Sequence, residues 1–90
     1  MIAKKVIFSG KVQGVGFRYS VKQIALGFDI VGIIKNLSDG TVELQVMAEE
    51  EEVTEFISEI TDESELVGLI KEHTIWDINP LEDCRGFQIT

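Results

Sequence analysis

The sequence predicts an α+β domain in which two helices pack on one face of an antiparallel sheet, in the chain order strand, helix, strand, strand, helix, strand (βαββαβ). Three observations lead there. Runs with apolar residues at every second position alternate along the chain with runs that carry them at helical spacing. Asp39-Gly40 joins two strand-like runs with no helix-length segment between them, the mark of a hairpin. Ninety residues, 44% of them apolar and one a proline, suffice for one core and no second one, so residues 1–90 are read as a single domain.

Lys4 to Ser9, with Val6 and Phe8 on one side, reads as the first strand. From Arg18 to Gly27 the apolar residues Val21, Ile24 and Ala25, with Phe28 just beyond, fall on one helical face, and Gly27 is a fitting stop. Ile30 to Lys35 is β-branched and almost wholly apolar, suited to a strand well inside a sheet, and "TVELQVM" turns Val42, Leu44 and Val46 inward. The run "EEEEVTEFISEI" begins a second helix with the stripe Val53, Phe56, Ile57 and Ile60; its glutamates oppose the positive end of the helix dipole. After Asp62 the pattern weakens: "LVGLIKEHTIWDI" is expected to hold one or two strands and the final "GFQIT" a last short one. Two right-handed βαβ crossovers joined by a hairpin make a ferredoxin-like sandwich with four strands in its antiparallel sheet. That architecture carries many unrelated functions, so it decides none.

Charge narrows the choice. The net charge is −8, yet residues 1–45 hold six Lys or Arg against three acids, and residues 46–90 hold two against thirteen. A small anion is drawn to the first half and repelled by the second. The broad basic face that a nucleic-acid backbone requires is missing, so no nucleic acid is expected as partner. No segment approaches the roughly 20 apolar residues of a membrane span, and the first residues lack the apolar run of a signal peptide. The lone Cys84 fits a reducing compartment. A cytoplasmic monomer is the expectation.

The chemistry concentrates in "GKVQGVGFR", residues 10–18, three glycines and an arginine between a strand and a helix. Glycines allow the turn and admit a ligand close to the main chain; successive N–H groups at a helix start can converge on one anion; Arg18 could close on a phosphate with two hydrogen bonds. The named nucleotide motifs fail. No Gly-Lys-Ser/Thr follows, and Tyr19 stands where a dinucleotide fingerprint starting at Gly14 needs glycine or alanine. On spacing alone the stretch fits either a phosphate cradle or a tight strand-to-helix turn.

"GKVQGVGFRY" followed by "KNLSDGTVE" closely resembles the acylphosphatase family, small ferredoxin-like enzymes that hydrolyse carboxyl-phosphate anhydrides without a metal. Gly10, Val12, Gln13, Gly14, Val15, Phe17 and Arg18 all match the first motif; Gly32, Asn36, Gly40 and Val42 fall where the second expects them, and the likeness extends to the terminal "GFQI". The resemblance implies that the backbone amides of Gln13, Gly14, Val15, Gly16, Phe17 and Arg18 cradle the phosphate, that the Arg18 side chain binds it, and that Asn36 holds the attacking water. Arg18 and Asn36 are thus the expected catalytic pair, with no metal and no cofactor, and the ligands a small acyl phosphate and inorganic phosphate. Phe8, Ile33, Ile34 and Ala48 depart from the family pattern in ways that bear on packing around the asparagine strand. The alternative is a catalytically weak phosphate-binding or regulatory module of the same fold.

Other residues read as structural. His73 has no acidic or cysteine partner at ligand spacing, Cys84 lacks a histidine beside it, and Tyr19 and Trp76 are expected to pack. Glu49 to Glu52 is a solvated helix start, since a helical run faces in all directions and a hard-cation loop needs spaced oxygens.

Overall fold

A computed structural model describes residues 1–90. Its strands are β1 (Ile2–Gly10), β2 (Val31–Asn36), β3 (Val42–Ala48), β4 (Ile70–Ile78) and β5 (Phe87–Ile89), and its helices α1 (Phe17–Ala25) and α2 (Glu50–Ser58). The sheet order is β4-β1-β3-β2-β5. β3 lies between β1 and β2 and pairs antiparallel with both, and β4 pairs antiparallel with the other side of β1. The expected βαββαβ order is present through β4.

The sheet is nevertheless mixed and five-stranded, where a four-stranded antiparallel sheet was expected. The "GFQIT" strand joins the far edge, parallel to β2, with Phe87 beside Gly32 and Ile89 beside Ile34. The connection from β4 therefore passes from one edge of the sheet to the other. On the way Pro80, Leu81 and Cys84 form a groove with Ile33 and Gln45, residues of the sheet face away from the helices. β2 thereby becomes an interior strand. Its Gly32 admits no side chain: a Cβ there would lie 2.4 Å from the Gln45 carbonyl oxygen and 3.2 Å from the Phe87 ring.

One face of the sheet carries the core. Val6 and Phe8 of β1, Ile34 of β2, Val42, Leu44 and Val46 of β3 and Phe87 of β5 meet Phe17, Val21 and Ala25 of α1 and Val53, Phe56 and Ile57 of α2. This is the alternation that the sequence shows, and it places both helices on one side. Phe56 is fully buried and makes edge-to-face contacts with Phe28 (centroids 5.6 Å apart) and Phe87 (5.9 Å). Phe8 and Phe17 make a similar pair at 5.3 Å, joining β1 to the first residue of α1.

The helices stop differently from the periodicity. α1 ends at Ala25, and Phe28 packs against the core from the loop that follows, where the Glu52 carboxylate accepts a 2.7 Å hydrogen bond from the Asp29 N–H. α2 leaves α geometry after Ser58 and widens into a π turn, Glu59–Glu63, which delivers Ile60 to the core; a 3₁₀ turn, Glu65–Leu69, leads into β4. Glu59 and Glu63 share a hydrogen bond that raises the pKa of the Glu59 carboxyl, with desolvation and like charge adding to it. Trp76 does not pack as expected: it is 43% exposed on the edge strand, with the Lys5 ammonium 4.8 Å from its ring centroid.

Candidate active site

The end of β1, the loop that follows it, the start of α1 and the end of β2 come together at one corner of the sandwich. Lys11 N–H donates to the Leu69 carbonyl at 2.9 Å and Val12 is buried, so the loop is pinned on both sides as it leaves the strand. Gly14 and Gly16 then adopt φ of 76°, a left-handed conformation that L residues rarely take, and space for a Cβ is open at both. The glycines are required by backbone shape and leave their surface uncovered.

None of the main-chain N–H groups from Gln13 to Tyr19 donates a hydrogen bond within the chain; the first to do so is that of Ser20, to the Gly16 carbonyl at 3.0 Å. Gly16 is the N-cap of α1, offers no side-chain cap, and is followed by a first turn without an acid. The contrast with α2 is instructive. Its first turn carries Glu50, Glu51 and Glu52, which complement the positive end of that helix, whereas α1 leaves its own uncompensated. A cluster of unpaired donors at the positive end of a helix favours an anion.

The cavity at this corner has a volume of about 180 Å³ and is lined by Val12, Gly14, Gly16, Phe17, Arg18, Tyr19, Asn36 and Ile89. Of the residues expected at the site, Gly14, Gly16, Phe17, Arg18 and Asn36 therefore share one surface. Gln13 and Val15 are outside the lining. Val15 is 48% exposed, and the Gln13 side chain turns to the β2–β3 hairpin.

That turn does something the sequence does not reveal. The Gln13 Nε2 amide donates to the Leu37 and Thr41 carbonyls, each at 2.8 Å. Leu37 directly follows Asn36, and Leu37 N–H in turn donates to Thr41 O at 2.9 Å. One carboxamide thus fixes the loop and the asparagine strand relative to each other. Both donors of the amide are used, so it cannot rotate away without leaving a half-buried group unpaired. Within the hairpin the Asp39 carboxylate accepts from the Thr41 hydroxyl and, at 3.0 Å, from the Thr41 N–H, bonds that hold its pKa below the ordinary carboxylate value. This turn is therefore braced at neutral pH, and the bracing is lost as pH falls through the lowered pKa.

Arg18 is half-buried, and its Nη1 donates to the Thr90 carbonyl at 2.8 Å. Thr90 N–H donates to the Ile34 carbonyl at 2.9 Å, so the segment after β5 is held to β2 and in turn holds the guanidinium. The two residues are far apart in sequence, and only the parallel pairing of β5 brings them together. Tyr19, expected to pack, is 63% exposed and lines the cavity; His73, for which a structural or surface role was expected, is exposed on β4. Arg18 supplies a charged fork, the loop supplies neutral donors, and Asn36 supplies a carboxamide at the same surface.

Comparison with known proteins bears on which chemistry this is. The acylphosphatase family model matches residues 4–89. Acylphosphatase from Listeria welshimeri is 42% identical over 81 residues, covering 90% of this chain and 87% of that protein. Acylphosphatase from Lacticaseibacillus paracasei is 37% identical and covers 99% and 96%. The crystal structure of acylphosphatase from Bacillus subtilis superimposes with a TM-score of 0.88 at 30% identity over 100% of this chain and 99% of that one. T. kodakarensis HypF is similar at a TM-score of 0.84 and 31% identity, but the match takes up 12% of its chain.

Proposed function

Because the chain belongs to the acylphosphatase family, we propose that it hydrolyses the carboxyl-phosphate anhydride bond of small acyl phosphates, releasing a carboxylate and inorganic phosphate without a metal. The observation that carries the reading is the run of unpaired amides from Gln13 to Tyr19 beside Arg18, around a cavity that also takes in Asn36. The phosphoryl group sits in the loop, its oxygens accepting from the amides of Gln13 to Arg18 and from the guanidinium. Asn36 orients a water in line behind phosphorus. The water oxygen forms the new P–O bond as the P–O bond to the acyl group breaks, and the bonding pair leaves with the carboxylate. The water proton passes to a phosphate oxygen.

These few groups suffice because a carboxylate is a good leaving group. No general acid is needed to protonate it, which removes the usual demand for a paired acid and base. What remains is to neutralise charge on a loose phosphoryl transition state and to align the nucleophile. Asn36 contributes alignment, so Asn36→Ala is expected to lower kcat by a factor of about a hundred or more, while inorganic phosphate inhibits as before. An unchanged kcat removes Asn36 from the mechanism.

The reaction class is tested by offering benzoyl phosphate and p-nitrophenyl phosphate to the purified protein in EDTA. Hydrolysis of the anhydride that persists with chelator, with little action on the ester, is the expected result; dependence on added metal, or preference for the ester, contradicts it. A catalytically weak binding module would bind phosphate without turnover in the same experiment. No helix is long and apolar enough to cross a membrane, and Cys84 forms no bridge; both accord with a cytoplasmic enzyme, which we take to act as a monomer on small-molecule substrates, without nucleic acid.

A further inference from the structure

Around the phosphate corner the chain leaves three large apolar side chains in water: Tyr19 is 63% exposed, Val15 48% and Ile89 37%. Tyr19 and Ile89 line the same cavity as Arg18 and Asn36, and Val15 stands between Gly14 and Gly16, which line it too. They come from the first turn of α1, the end of β5 and the loop, so no single amphipathic face accounts for them. Scattered exposed apolar residues are ordinary. Two of these line the cavity that holds Arg18 and Asn36, and the third stands in the loop beside it; apolar carbon next to one cation is the composition of a site that binds an organic group by its tail and its charge together.

Shape and charge agree. The cavity, about 180 Å³, reaches beyond Arg18 and the loop glycines to Tyr19 and Ile89, over Val12 and Phe17, both buried. Arg18 is the one cation in the lining. A substrate with a second phosphate finds no countercharge for it there, and a carbamoyl group would set its N–H donors against apolar carbon.

We infer that Tyr19 and Ile89, with Val15, form an acyl-binding rim that selects acyl phosphates with an apolar tail longer than acetyl over acetyl, carbamoyl and bisphosphorylated substrates. The inference rests on the acylphosphatase reading and adds to it the class of acyl group. The tail lies on the Tyr19 ring and the Ile89 side chain while the phosphoryl end occupies the loop, so tail contacts fix the anhydride in place before water attacks.

The test is kcat/KM for acetyl, butanoyl and hexanoyl phosphate. These three release carboxylates of nearly equal basicity, so intrinsic reactivity contributes little to a trend. For the unaltered protein, a rise of about tenfold or more from acetyl to hexanoyl is expected, in the range that added methylenes contribute at an apolar surface. Tyr19→Ala, at an exposed position, is expected to flatten the rise to about twofold, and Tyr19→Phe to preserve it; Ile89→Ser reduces it from the other side of the cavity. A flat series for the unaltered protein, or a Tyr19→Ala series that keeps its slope, overturns the rim. Failure to hydrolyse every member, acetyl phosphate included, instead overturns the acylphosphatase reading beneath it.

Discussion

Replacing Arg18 by alanine is expected to lower kcat/KM for benzoyl phosphate by two to four orders of magnitude. The guanidinium is the cavity's one cation, and its loss removes two charge-assisted hydrogen bonds to the phosphoryl oxygens, on the order of 3–6 kcal/mol in all. The loop amides remain, which is why the loss is not larger. Arg18→Lys keeps the charge but not the planar fork and is expected to recover only part of the activity. Folding is not at stake: Arg18 lies outside the core, and its intrachain bond goes to the Thr90 carbonyl at the edge of the sheet. Circular dichroism and thermal melting close to those of the unaltered protein therefore accompany the loss. An Arg18→Ala protein that turns over substrate at the original rate removes the residue from the site.

The largest effect on stability is expected at Phe56. It is fully buried and contacts both the Phe28 and Phe87 rings, so Phe56→Ala leaves a cavity flanked by two rings and costs about 3–5 kcal/mol. A domain of this size is stable by about 5–13 kcal/mol, so the variant stands near the edge of folding, and its melting temperature drops by roughly 15–30 °C. The consequence reaches the active site. Phe87 anchors β5, and the residues after β5 carry the carbonyl that holds Arg18. Activity below the melting temperature is therefore also expected to fall. Phe56→Leu, which keeps most of the volume, recovers most of both properties. A Phe56→Ala melt within a few degrees of the unaltered protein contradicts this picture of the core.

Much of this was legible in the chain. Val42, Leu44 and Val46 alternate cleanly because β3 has one buried face, and the positions of Val53, Phe56 and Ile57 show which side of α2 meets it. The loop was legible because left-handed turns restrict residue type: Gly14 and Gly16 announce themselves, and Arg18 beside them suggests an anion. What was not legible depends on partners distant in sequence. The three residues of β5 are too few to show a period, and nothing in them says that they cross the sheet to pair parallel with β2. Phe28 continues the helical spacing of α1 yet lies past its end, because a loop residue can fill the same core position. The Gln13 carboxamide could be assigned a target only once the Leu37 and Thr41 carbonyls were seen within reach. Tyr19 reads as a core aromatic until the fold turns it outward.

The most direct measurement is a titration of inorganic phosphate into ¹⁵N-labelled protein, following every backbone amide and the Asn36 side chain. Saturable shifts centred on Gly14 to Arg18, abolished by Arg18→Ala, are the expected result. Shifts centred elsewhere, or none at phosphate concentrations that inhibit turnover, would show that the loop is a turn and not an anion site.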